Sequence, residues 1–366
     1  MLLTLFIFTH FTSQLPIGCT QQLSGPLKDL AAKIVFSKDY SIHEAPRVYA
    51  DKPLLVNFSI NLRNVLSVDE KQQIITLETS LRLYWEDPRI AVLPSALSES
   101  RNYVTFNPKV AEYFWIPDIF IDKSKAVRVP TYFVKPASLR VYNDSTVRYS
   151  SRLNFDVACE MDFHRFPVDE QLCEIKFESF GFTTEQLMFS WKKGSSNINQ
   201  NISLAQFDMN VKLEDTYETD YYELAYPGLI MKIHLRREIG YHIVQTYIPS
   251  MIFVFVAWLS LFISPESIPG RVGMGMTTLL TLTAMFGAVR NNVPKVSYVS
   301  YLDIWMVACI FFVFSCILEF TIVSYSIKCG RKSFGDKVEV RCRIAVPIAF
   351  ILFNIIYWTM LYVHSI

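Results

Sequence analysis

The sequence predicts an α+β membrane protein: an extracellular all-β sandwich with a short N-terminal helix, followed by a four-helix transmembrane bundle. Three observations carry this. Apolar and polar residues alternate with period two in segments scattered over residues 54–237. The composition then turns abruptly apolar, in four stretches each about 20 residues long, enough to cross a bilayer as a helix. Lys328, Arg331, Lys332, Lys337, Arg341 and Arg343 fill the interval between the third and fourth stretches, and the positive-inside rule puts such a segment in the cytoplasm.

Composition agrees with a divided chain. Of 366 residues, 51% are hydrophobic and 19% charged. That is apolar for a soluble protein and too charged for spans alone, so the apolar residues are unevenly placed. The formal net charge of +1 argues against a nucleic-acid partner, which needs a concentrated basic surface.

From the N-terminus, residues 1–12 are apolar and lack Lys, Arg, Asp and Glu. With Ile17-Gly18-Cys19 as a possible cleavage end, residues 1–19 read as a signal peptide without a basic n-region; a short N-terminal anchor is the alternative. Export suits the Asn-x-Ser sequons at Asn57, Asn143 and Asn201. Cys159 and Cys173 are the only cysteines of the exported part beyond Cys19, and in an oxidising compartment they are expected to pair. Cys309, Cys316, Cys329 and Cys342 fall in or between the apolar stretches. No Cys-x-x-Cys or His-x-x-x-His spacing points to a metal, and no cofactor is expected.

A short helix is expected over residues 26–37. Strands follow, with clear alternation at residues 77–85, 146–157 and 229–235. Asp87-Pro88, Asn107-Pro108, Asn143-Asp144 and Gly194-Ser195-Ser196 mark turns between strands. The extracellular domain is read as residues 20–238 and the transmembrane domain as 239–366. Its spans are placed at 243–263, 272–289, 302–324 and 344–363, with a short cytoplasmic loop at 325–343. Four spans and a cytoplasmic third link put both termini outside.

The second span differs from the others. At helical spacing, Gly273, Thr277, Leu280, Ala284 and Gly287 share a small, partly polar face. Leu279, Leu282, Phe286 and Val289 lie on the other side. Small residues also serve close helix packing in membranes. The sharper reading is a water-lined pore wall. One helix cannot enclose a pore, so several subunits would surround it, with Leu280 as an apolar ring that blocks ions by dewetting. Arg271, at the inner end, would either snorkel to the interface or form a basic ring favouring anions.

Four motifs then carry a family resemblance. Cys159 and Cys173 enclose Phe166-Pro167-Val168-Asp169, which resembles the signature loop of the Cys-loop receptors, the pentameric ligand-gated ion channels. Trp115-Ile116-Pro117-Asp118 is similar to the family's Trp-x-Pro-Asp segment. Residues 240–250 resemble the start of its first span. Residues 293–299, Val-Pro-Lys-Val-Ser-Tyr-Val, are similar to its link between spans two and three.

Within the family, the chain looks closest to the glycine, GABA and glutamate-gated chloride branch. That branch carries Pro-Ala-Arg before the second span, where this chain has Pro269-Gly270-Arg271. Cation channels place Glu where Gly270 stands; Glu266 lies further out. The resemblance implies an agonist site between subunits, with Phe120, Phe180, Phe182, Tyr221 and Tyr226 as its aromatic side and Glu178 attracting an amino group. Arg82 and Ser150 match positions that hold a carboxylate on the facing subunit, and Arg140 is a further ligand-binding candidate. A guanidinium pairs with a carboxylate, and aromatic faces hold an ammonium. Ser80 departs from an aromatic normally found on the facing strand. The flap at residues 215–228 has no cysteine, and its tyrosines also suit an amine.

The resemblance further implies a homo- or hetero-pentamer, a small amino acid or amine as agonist and chloride as the permeating ion. It implies the plasma membrane, in contact with lipid, with a postsynaptic position as one option. Phe166, Pro167, Asp169 and Arg237 would couple the sandwich to Pro294 and Lys295 below it. No nucleophile elbow, zinc signature or phosphate loop suggests an enzyme. An adhesion protein is the other class, and the polar second span argues against it.

Overall fold

The computed structural model describes residues 29–49, 51–130, 134–199, 202–221, 224–291 and 293–363. The expected signal peptide at 1–19, the start of the expected helix and the sequon Asn201 lie outside the described residues. Residues 29–31 are helical, but the chain is extended by β1 (Ile34–Phe36). The helix expected over 26–37 therefore stops short. Ile34 and Val35 are β-branched and suit a strand, and β1 pairs with β4 (Ile90–Val92).

Two larger sheets form the sandwich. One contains β2 (Leu54–Asp69), β3 (Ile74–Glu86), β5 (Tyr103–Phe106), β7 (Ser124–Arg128), β8 (Ala137–Tyr142), β9 (Thr146–Ala158), β11 (Leu187–Trp191) and β12 (Asn197–Ile198). The other runs in the order β13 (Phe207–Tyr221), β14 (Leu224–Arg237), β10 (Glu170–Ser179), β6 (Ile119–Ile121). Period-two alternation delivers the core. Val56, Phe58, Ile60 and Leu62 of β2 face Ile175 and Phe177 of β10 and Leu229, Met231, Ile233 and Leu235 of β14, all buried. Phe177 meets Phe58 and Phe155 at 6.3 Å and Trp191 at 6.1 Å between ring centres. Asn143 lies exposed in the β8–β9 turn, whereas Asn57 is half-buried between β3 and β11.

Four helices are long and apolar enough to cross a membrane: α1 (Gly240–Phe262), α2 (Ile268–Arg290), α3 (Tyr301–Lys328) and α4 (Lys332–Val363). The start of α1 widens to a π-turn over Ile243–Tyr247 just before Pro249, where the missing N–H breaks the regular ladder. Trp305 centres the bundle, its indole N–H donating to Ser250 Oγ at 2.8 Å and its ring against Tyr247, Phe353 and Tyr357.

The segment 325–343, expected as a loop, is nearly all helix. Gly330, at φ +76°, closes α3. Its N–H donates to Ile327 O at 3.1 Å and that of Arg331 to Ser326 O at 2.9 Å, a Schellman closure. One left-handed glycine suffices to reverse the chain, so basic residues read as loop form helix ends instead.

Candidate ligand site, junction and pore helix

Asp118 organises the aromatic region. Its carboxylate accepts hydrogen bonds from Ser179 Oγ at 2.7 Å and the Gly181 N–H at 2.6 Å, and its carbonyl accepts from the Phe180 N–H at 3.3 Å. The bend so fixed leaves Phe180 79% exposed, edge-on to Phe120 at 6.0 Å. The β13–β14 hairpin brings the rings of Tyr221 and Tyr226 to 5.9 Å. Phe182 does not join this group: past the bend it turns onto Trp115, at 5.8 Å.

Glu178 is register partner to both Phe120 and Gly228. It is buried, and Oε1 accepts from the hydroxyls of Tyr217 and, at 3.3 Å, Thr219. Oε2 is buried without a hydrogen-bond partner among the described residues. Burial, then the bond to Glu178, pushes the Tyr217 phenol above its ordinary range, and the charge of Glu178 raises Tyr221. A buried negative charge thus sits behind exposed aromatic faces, an arrangement suited to an organic cation.

Tyr217 is a further candidate for this site that residue-type reasoning passed over, and Gly228 was its signal. A glycine inside a strand often marks a close approach, and a Cβ there would lie 2.4 Å from the Tyr217 ring. Gly228→Ala is expected to displace that ring from Glu178 and destabilise the protein by about 1–3 kcal/mol, the usual cost of overpacking. An unchanged thermal midpoint of the purified variant would show that the ring yields freely.

Arg82 and Ser150 are cross-strand partners on β3 and β9 of the eight-stranded sheet, both half-buried. Arg140 stacks on Tyr103 at 4.5 Å. Within one chain no hydrogen bond or ring contact among the described residues joins these three to the aromatic group. Ser80 accepts from Arg63 Nε at 3.1 Å.

The sandwich–membrane junction is built around Arg237. It occupies the inward position following Leu229, Met231, Ile233 and Leu235 along β14, so the strand's own alternation buries it. Its guanidinium donates to Asp169 at 2.7 and 3.1 Å and to Glu70 at 2.7 and 3.0 Å. It lies between the rings of Phe166 and Phe207, at 4.7 and 4.6 Å. Burial alone would lower its pKa, but Asp169 and Glu70 outweigh it and the net shift is upward, so the fork stays charged.

The loop between the cysteines grips the membrane domain next to this pair. The Cys159–Cys173 disulfide is formed, as expected. The Phe163 N–H donates to Tyr298 Oη at 2.9 Å, and His164 stacks on the Tyr298 ring at 3.7 Å. Carbonyls of His164 and Phe166 accept from the N–H groups of Tyr301 and Leu302, at 3.2 and 3.1 Å. Phe166 packs on His242 of α1 at 4.8 Å. Pro294 is half-buried and Lys295 exposed; the grip runs through Tyr298 instead.

On α2, Gly273, Thr277, Leu280, Ala284 and Gly287 are all exposed, and Leu280 is 72% so. The buried face is Arg271, Gly275, Thr278 and Leu282. Gly275 serves packing, since a Cβ there would meet Ile317 Cγ1 at 2.8 Å, whereas Gly273 and Gly287 face open space. Thr277 Oγ1 donates to its own helix, to Gly273 O at 2.7 Å.

Arg271 is not on the open face. It is 3% exposed and turned into its own bundle. Nine residues separate it from Leu280, about two and a half helical turns, which puts the two on opposite sides. Its Nε donates to Ile263 O at 2.7 Å, and its Nη2 to Leu261 O at 3.1 Å and to Glu339 of α4. Glu319 of α3 stands 3.9 Å away, and Arg343 also donates to Glu339, at 2.9 Å.

Comparison with known families accounts for both halves of the chain. The neurotransmitter-gated ion-channel ligand-binding domain matches residues 28–239, and the neurotransmitter-gated ion-channel transmembrane region matches residues 246–341. The first match alone spans more than half of the chain, and the second begins within α1 and ends within α4. The chain therefore belongs to the neurotransmitter-gated ion-channel family, the Cys-loop receptors, as a ligand-gated channel subunit with an extracellular β-sandwich and four membrane-spanning helices.

Proposed function

We propose that five such subunits form a chloride-selective channel of the plasma membrane, opened by a small amino acid or amine at the subunit interface. The observation that carries the pore assignment is the open face of α2, which no helix among the described residues covers. The agonist's ammonium would meet Phe120, Phe180, Tyr221 and Tyr226 before the charge of Glu178, and its carboxylate would meet Arg82 and Ser150 of the neighbouring subunit. No acidic residue lies on α2, which supports anion passage. One observation favours a cation-selective reading: Arg271 is buried while Glu266, before the helix, is exposed.

Binding would draw the β13–β14 hairpin inward, and the Arg237–Asp169 region and Tyr298 would pass the motion to α2. That is a population shift toward whichever state binds agonist better. The test needs no agonist. Leu280→Thr wets the constriction and is expected to give a standing current in oocytes that is absent from the wild type. Its reversal potential should follow external chloride. Absence of leak removes Leu280 as the gate; a reversal that follows sodium removes the anion assignment.

A further inference from the structure

The first turns of α4 carry cations that the channel mechanism leaves unused. α4 has 32 residues, so it is about 48 Å long at 1.5 Å per residue. A hydrocarbon core is about 30 Å thick, and the stretch 344–363, which holds no charged side chain, fills it. With residue 344 at the edge of the hydrocarbon, Arg341 stands about 4.5 Å outside it, Lys337 about 10.5 Å and Lys332 about 18 Å. The headgroup layer is about 5–8 Å deep on each side. Arg341 thus sits at the depth of a phospholipid's linking phosphate, and Lys337 and Lys332 lie beyond it. Lys332, Ser333, Asp336, Lys337, Val340 and Arg341 line one shallow groove of about 600 Å³. Lys337 and Arg341, four residues apart, stand one above the other on the helix. All three cations are exposed, and none forms an ion pair among the described residues. Asp336 is the one acid in the groove, since Glu339 is buried and spent on Arg271 and Arg343. The Gly330 closure ties the start of α4 to the end of α3, so the groove cannot move away from the bilayer. Lys328 and Arg331, beside that closure, are exposed as well.

We propose that this groove binds the headgroup of a phosphoinositide, an inositol phospholipid with phosphates beyond the one that links its glycerol. Clustered Lys and Arg beside a span attract anionic lipid. The positive-inside rule puts this end of α4 at the cytoplasmic leaflet, where anionic lipids concentrate. Depth chooses among them. Phosphatidylserine has a single phosphate, which meets Arg341 and leaves Lys337 and Lys332 without a partner. The ring phosphates of a phosphoinositide stand farther from the hydrocarbon and meet Lys337 and Lys332. Such binding holds whichever ion the channel passes and whatever agonist opens it.

The test titrates the purified full-length protein in detergent with water-soluble dioctanoyl phosphatidylinositol bisphosphate. The readout is the rise in thermal midpoint above each sample's own lipid-free value. The wild type is expected to show a saturable rise. The double variant Lys337→Gln, Arg341→Gln should need about thirtyfold more lipid for half of that rise. The double variant Lys38→Gln, Lys193→Gln removes equal charge from exposed positions of the sandwich and should respond like wild type. Dioctanoyl phosphatidylserine should give a much smaller rise at equal concentration. An unchanged half-maximal concentration in Lys337→Gln, Arg341→Gln overturns the site. So does an equal response to phosphatidylserine, which marks a diffuse basic surface. Equally tight binding of free inositol trisphosphate overturns it too, since the ligand is then a soluble one.

Discussion

Arg237→Gln is expected to remove nearly all channel current. The change leaves Asp169 and Glu70 facing each other with no cation between them. Breaking a buried pair from one side costs about 3–5 kcal/mol, much of it the stranded charge, and two acids are stranded here. The rings of Phe166 and Phe207 also lose the guanidinium that fills the space between them. Arg237→Lys should recover little, since an ammonium cannot fork to two carboxylates. Asp169→Asn should cost less, because Glu70 still neutralises the arginine with two hydrogen bonds. Current measured beside surface labelling separates failure to fold from failure to couple. Wild-type current and wild-type surface level in Arg237→Gln would rule out this pair as the structural centre of the junction.

The second large effect is expected at the opposite end of the membrane domain. Glu339 accepts from both Arg271 and Arg343, and with Glu319 it balances one buried and one half-buried cation. Glu339→Gln leaves that group with a net positive charge in a low-dielectric site. A loss of about 3–5 kcal/mol follows, seen as a lower thermal midpoint. Glu339→Asp keeps the charge on a shorter arm and should recover part of it. If Gln and Asp behaved alike and like wild type, α4 would have no electrostatic hold on α2.

Much of this architecture was legible from periodicity. The alternation at residues 77–85 reappears as β3, pairing along its length with β9, and the four apolar stretches reappear as α1 to α4. Legibility failed where one residue decides a local conformation. Gly330 turned an expected loop into a helix hairpin, and two β-branched residues ended an expected helix early. It also failed where a face was judged by proximity in sequence. Arg271 adjoins the open stripe along the chain, yet helical geometry sets it opposite Leu280. The bend fixed by Asp118 separates Phe180 from Phe182, which composition alone treats as equivalent. Tyr217 was hidden because its role depends on the glycine across the hairpin. Residues such as Arg82 and Ser150, whose partners would come from another subunit, leave no mark in the packing of one chain.

The two backbone hydrogen bonds that the start of α3 donates to the carbonyls of His164 and Phe166 also bear on biosynthesis. A helix begins with N–H groups that its own turns do not satisfy, and here the disulfide-closed loop supplies two acceptors beside the Ser300–Asp303 cap. The sandwich is translated first and the third span later. The acceptors that complete the α3 terminus are therefore synthesised before the helix that needs them.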